Sequence, residues 1–254
     1  MRATLRSPKT TWLGIAASAS LLFAGCGGDD PAFEREFQWV EDLMLYRGQP
    51  LTSRWTTDLR VRIKSRLPRV EQRQAVADAL EFIRPLIAPL SATLVDDADE
   101  SANVTVEFLS WDIEEVGAIG LALTPFDEAG EIIRSEISVH KSLSNIELPF
   151  VTFHEFYHAL GFGHSPQLPD SIMFFRNNGP KRPSALDERL VRFGYSLPPG
   201  LAQGSLRVEF EDRWRGLAEF DTSARALRTA SSPHPHASES TSSHRCYADA
   251  WLER

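Results

Sequence analysis

The sequence is poor in cysteine, has no excess of basic charge, and has no apolar run of membrane-spanning length. Two cysteines in 254 residues exclude a disulfide-stapled scaffold and any four-cysteine zinc site. Lys and Arg total 27 against 35 Asp and Glu, a formal net charge of -8. That balance argues against nucleic acid as the main partner, because phosphate neutralisation needs a basic face. The uncharged stretch from Trp12 to Gly25 is too short to cross a ~30 Å hydrocarbon layer as a helix. What remains is ordinary for a globule: 42% hydrophobic and 24% charged residues. The length suits one large domain, or one domain with appendages, and supports a core of useful size.

The N-terminus has the pattern of an export signal. Arg2, Arg6 and Lys9 precede the apolar run, which is the order of a signal peptide. The run closes with Leu22, Phe23, Ala24, Gly25 and Cys26. Small residues followed by Cys resemble the lipobox of bacterial lipoproteins, with Phe23 at a position where Leu is commoner. The resemblance implies that residues 1–25 are removed and that Cys26 is lipidated. It implies export and a membrane anchor, at the outer membrane or cell surface. A plain secretory signal with an incidental Cys26 is the alternative, and gives a secreted protein. Residues 26–52 then form a tether, with Gly27 to Asp30 flexible, and an N-terminal segment. With Cys26 lipidated, Cys246 has no intrachain partner and no disulfide is expected.

Residues 31–55 suggest a short helix and a loop lying on the domain, with Trp39, Leu43, Leu45 and Trp55 as its apolar members. Leu59 to Ile63 alternates apolar and charged residues, the period of a half-buried strand. Val70 to Leu86 has helical spacing, with Pro85 near its end. Strands are expected at 91–95, 104–109, 117–123 and 136–140. Residues 147–161 form a buried, aromatic-rich helix, in which Pro149 is tolerated by the first turn. Phe150, Phe153 and Tyr157 share one face of it; His154 and His158 share another. Ser184 to Asp187 is a capping-box start for a last helix running to 193–195. From about Ala230 to His244 the chain is Ser, His, Pro and Thr, which predicts disorder. His234, His236 and His244 in that tail read as solvated, with weak metal binding as the alternative.

The chemistry concentrates in His154-Glu-Phe-Tyr-His158-Ala-Leu-Gly161-Phe-Gly-His164. Residues i and i+4 of a helix lie ~40° apart around its axis and ~6 Å apart along it. Two imidazoles so placed can converge on one ion. Glu155 is offset by ~100°, badly placed as a ligand and well placed to reach a water beside the ion. Gly161 can take positive φ and end the helix, so the chain can turn His164 back as a third ligand. Three neutral imidazoles leave a fourth position open, the arrangement of catalytic zinc, with Glu155 as general base.

This motif resembles that of the metzincin zinc metallopeptidases in full. Ser171-Ile-Met173 is similar to their Met-turn, which places Met173 beneath the metal, and Ser165 after the third His is similar to the matrixin branch. The resemblance covers roughly residues 53–196 and leaves 197–254 as a C-terminal extension. It implies an α+β metzincin-like zincin: a twisted, mostly parallel sheet with an antiparallel edge strand, a zinc-binding helix, a Met-turn and a C-terminal helix. It implies one catalytic Zn2+ on His154, His158 and His164, and Glu155 as base in a metalloendopeptidase acting on peptides or proteins. It implies that strand 117–123 is the edge that pairs with substrate, an interior strand being the alternative.

The sequence also departs from the family. Tyr157 stands where matrixins usually have Gly. Phe175, two residues after Met173, cannot supply the Tyr that some branches place near the metal. The family's structural-zinc and calcium ligands have no clear counterpart: His140 is alone in its strand, and Asp127, Glu128 and Glu131 lie in a Gly-containing loop, so calcium stays open. No cysteine but Cys26 precedes the domain, so thiol-switch latency has no candidate. The alternative of another class is a zinc-binding, non-catalytic lipoprotein serving as a binding or structural module.

Overall fold

The computed structural model describes residues 31–45, 49–64, 68–165, 168–174 and 182–229. The expectations for the signal, Cys26, Cys246, Phe175 and the histidine-bearing tail lie outside the described residues.

The protein is mixed α+β. Five strands, β1 (Leu59–Ile63), β2 (Ala92–Leu94), β3 (Val104–Leu109), β4 (Gly120–Leu123) and β5 (Ser135–His140), form one sheet in the order β2-β1-β3-β5-β4. All neighbours are parallel except β4, which runs antiparallel to β5. β4 is therefore the edge strand that the resemblance implied. It begins at Gly120 rather than Gly117, because Gly117 has φ 73° and breaks the extended backbone.

One face of the sheet is covered. Leu59, Val61 and Ile63 of β1, Val104 and Val106 of β3, and Ile137 and Val139 of β5 are all buried. Helices α2 (Val70–Ile83) and α4 (Glu147–Ala159) pack over that side and against each other. The alternate residues, among them Arg60, Glu107 and Glu136, point the other way and carry ion pairs to Asp99, Lys64 and Arg134. α2 stops at Ile83, earlier than its apolar spacing suggests: Arg84 keeps helical angles and its amide still bonds the Leu80 carbonyl, but Pro85 has no N–H to continue the ladder. The short α3 (Ile113–Val116) leads into β4.

Three further helices complete the chain: α1 (Pro31–Met44), α5 (Ala185–Ser196) and α6 (Gln203–Thr229). The last helix expected from the sequence is α5; α6 corrects that expectation. α5 starts with the expected box, since Ser184 Oγ accepts from the Asp187 amide at 3.2 Å and Asp187 Oδ2 accepts from the Ser184 amide at 2.7 Å. α6 packs on α5 and α1 around Phe193, Phe210, Trp214 and Trp39, all buried. Among the described residues no helix is long and apolar enough to cross a membrane.

Candidate metal centre

α4 is apolar on nearly every side, which is why it sits in the core. Phe150, Val151, Phe153, Phe156 and Tyr157 are buried with it, and so are His154 and Glu155. Polar groups in such a place need partners. His154 Nδ1 lies 2.7 Å from the Ile172 carbonyl, and His158 Nδ1 lies 2.7 Å from the Phe162 carbonyl. A carbonyl only accepts, so each Nδ1 carries the proton and each Nε2 presents a lone pair.

The helix ends where the sequence indicated. Gly161 has φ +99°, and a Cβ there would stand 2.5 Å from the Ser53 carbonyl oxygen. Both conformation and space require glycine. Trp55 Nε1 donates to the Ala159 carbonyl at 2.7 Å, and the Tyr195 hydroxyl donates to the Leu160 carbonyl at 3.3 Å, so two open carbonyls of the last turn are capped. Beyond Gly161 the chain turns back and brings His164 to the histidines of the helix.

The three Nε2 atoms form a nearly equilateral triangle. The sides are 3.1 Å for His154–His158, 3.2 Å for His154–His164 and 3.2 Å for His158–His164. Two nitrogens each ~2.1 Å from a shared tetrahedral ion are ~3.4 Å apart, so the triangle has the size of a coordination shell. Hydrogen bonds among the rings cannot account for it. With Nε2 unprotonated on His154 and His158, a single proton on His164 could serve only one of three contacts. Three converging Nε2 atoms in a buried place fit a cation, and His154, His158 and His164 could bind a metal ion. No other such group of His, Cys, Asp or Glu occurs among the described residues. Burial holds the His154 imidazole down to about 4, against the opposing Ile172 hydrogen bond, which keeps it neutral and ligand-ready.

Glu155 lines the same cleft as the three histidines, a cavity of about 540 Å³ whose other wall is β4 with Pro125 and Phe126. Its Oε2 is buried and has no hydrogen-bond partner among the described residues. Burial pushes the carboxyl up to about 8. A buried carboxylate oxygen facing a cleft without a partner is poised to hold a proton.

Met173 is fully buried in a turn, next to the Ile172 whose carbonyl meets His154. Its backbone carbonyl accepts from the Ser165 amide at 2.8 Å, and the neighbouring Ile172 carbonyl accepts the hydrogen bond of His154 Nδ1. Asp187, legible in the sequence only as a cap, anchors this turn: it accepts from Ser171 Oγ at 2.6 Å and from the Ile172 amide at 3.0 Å. Tyr157 does not line the cleft; it fills the core, 6.2 Å from the Phe162 ring. His140 is held by Ser142 Oγ at 2.8 Å and the Trp111 carbonyl at 3.2 Å, the satisfied strand residue the sequence favoured.

No protein-family model matches the chain, and no curated protein matches it.

Proposed function

We propose that the protein is a zinc-dependent metalloendopeptidase, with a metzincin-like catalytic core and His154, His158 and His164 as ligands. The observation that carries the reading is the Nε2 triangle, with sides of 3.1 to 3.2 Å, opening on a cleft that also holds the unpartnered carboxylate of Glu155. Three imidazoles alone suit several transition metals. A closed structural site would have a fourth protein ligand; here a base faces the cleft instead.

A zinc ion in this place supplies Lewis acidity to a water and to the substrate carbonyl. The chain does the rest. His154 and His158 are fixed in the Nε2-donor tautomer by their Nδ1 hydrogen bonds. Glu155 Oε2 takes the proton of the attacking water and returns it to the leaving amine nitrogen. β4 is a sheet edge bordering the cleft, so its outward backbone groups can pair with an extended peptide. That pairing reads backbone, and makes a polypeptide the substrate class. We further propose that the chain is exported and held to a membrane by a lipid on Cys26.

The test is Glu155→Gln, which keeps size and removes the base. Zinc should remain at one ion per chain, while cleavage of an unfolded protein falls by ~10²–10⁴. Wild-type cleavage should be blocked by a hydroxamate chelator. Equal cleavage by variant and wild type would remove Glu155 from the mechanism. Full zinc with no cleavage by the wild type would favour the binding-module alternative.

A further inference from the structure

The helices α1 and α6 lie outside the core of residues 53–196, and they lie together. Arg207 of α6 forks onto Glu34 of α1, with Nη1 2.8 Å from Oε2 and Nη2 2.6 Å from Oε1. Its guanidinium carbon stands 4.6 Å from the centre of the Phe37 ring. Phe210 packs 4.9 Å from Phe33 and 5.2 Å from Phe37. Trp214 donates from Nε1 to Glu36 at 2.6 Å, and its ring lies 6.2 Å from Trp39. None of these residues lines the cleft.

The other end of α1 reaches the metal site. The Leu43 carbonyl accepts from the Gly163 amide at 2.7 Å, one residue before His164. The Phe162 ring is tucked over Gly194 of α5, where a Cβ would stand 3.0 Å from Phe162 Cζ and 3.5 Å from Met44 Cε. The segment after α1 backs Gly161 with the Ser53 carbonyl, and is itself paired to the start of α6: the Thr52 amide donates to Leu201 at 3.0 Å and the Gly200 amide to Thr52 at 2.9 Å.

The three ligands are therefore held differently. His154 and His158 ride on a buried helix whose own geometry sets their spacing. His164 rides on a loop past the end of that helix, and a ligand on a loop is only as well placed as what supports it. We propose that α1, clasped by α6, is the positioning element for His164, so that loosening the α1–α6 contact weakens metal binding while α4 and the sheet stay folded. This rests on the reading of the three histidines as ligands.

The experiment uses the full chain, with zinc and cobalt(II) as probes. Arg207→Ala and Trp214→Ala loosen the clasp; Val61→Ala, in the fully buried interior of β1, is the control for general destabilisation. Hydrogen exchange at the Gly163 amide, zinc affinity against a competing chelator and the visible spectrum of the cobalt form are measured. The clasp variants should expose the Gly163 amide, shift the cobalt bands and lower zinc affinity by about tenfold or more. The control should lose melting temperature and change none of the three. If either clasp variant fails to fold, Arg207→Gln and Trp214→Phe should give the same changes in smaller degree. Unaltered Gly163 exchange and affinity in folded clasp variants would overturn the inference alone. So would an equal affinity loss in the control at matched melting temperature. A wild-type chain that takes up neither zinc nor cobalt would overturn the ligand reading, and this inference with it.

Discussion

Gly120 on β4 and Glu155 on α4 compete for one space. A Cβ on Gly120 would collide with Glu155 Oε1 and stand 2.7 Å from Val151 Cγ1. Gly120 has an ordinary strand conformation, so the backbone admits alanine and the space does not. Gly120→Ala should push the carboxylate aside while the histidines keep their places. A misplacement of ~1 Å in a catalytic group costs up to ~10²-fold. Peptide cleavage is therefore expected to fall by about tenfold to a hundredfold, mainly in kcat, at unchanged zinc content. Steady-state kinetics on the zinc-loaded variant checks this; an unaltered kcat would mean that the carboxylate has a second productive position.

Glu155 should also mark the pH dependence of stability in the metal-free chain. Burial raises its carboxyl from 4.5 to about 8 on folding. The folded state then favours the protonated form. Its contribution is complete below pH ~4.5 and is lost as pH rises toward ~8, on the order of a few kcal/mol in all. Chelator-treated wild type should melt at progressively lower temperature between pH 5 and pH 8. Glu155→Gln should lack that part of the slope. Added zinc should flatten the wild-type slope, since a nearby cation favours the carboxylate. Parallel melting curves for the two metal-free proteins would show that the charge carries no such penalty.

Much of the sheet and half of the site were legible because their signals are local. The sheet is covered on one face only, so Leu59, Val61 and Ile63 alternate with Arg60 and Arg62 in sequence as well as in space. The histidine spacing in α4 is a property of the helix itself. α6 has a local signal as well, since Leu206, Phe210, Trp214 and Leu217 recur at helical spacing with Arg and Glu between them; what is not local is the packing of that apolar stripe on α1 and α5. Gly120 against Glu155, and Leu43 on Gly163, join residues far apart in the chain. No local pattern announces them.

Asp187 offers the same lesson within the site. Its sequence context shows a cap for α5, yet its carboxylate accepts from Ser171, from the Ile172 amide and twice from Ser184. Burial raises its carboxyl, and these four hydrogen bonds oppose the rise. Through Ile172, whose carbonyl fixes His154, it steadies an imidazole it does not touch. Asp187→Ala would leave several buried donors unmet, at ~1–3 kcal/mol each. Loss of outer support of this kind typically costs ~10–100-fold in metal affinity. Asp187→Ala should therefore melt earlier and release zinc to a chelator more readily than wild type. A lowered melting temperature with wild-type zinc affinity would confine Asp187 to capping.

Removing one corner of the nitrogen triangle separates the contribution of the metal from the cost of building its site. In the metal-free chain the three Nε2 atoms stand 3.1 to 3.2 Å apart, and with Nε2 unprotonated on His154 and His158 at most one of these contacts is a hydrogen bond. His164→Ala deletes one of these nitrogens and trims a side chain that is 8% exposed. Two of the three contacts disappear, at most one of them a hydrogen bond, so the metal-free variant should melt close to metal-free wild type. Zinc should separate the two. A ligand at a thousand times its Kd stabilises the folded state by ~4 kcal/mol, which for a chain of this size raises the melting temperature by about 10 °C. Wild type should show that rise. The variant keeps two ligands, binds far more weakly, and should show little of it at the same zinc concentration. Calorimetry of both proteins with and without zinc gives the four values. An equal zinc-induced rise in wild type and His164→Ala would remove His164 from the coordination shell.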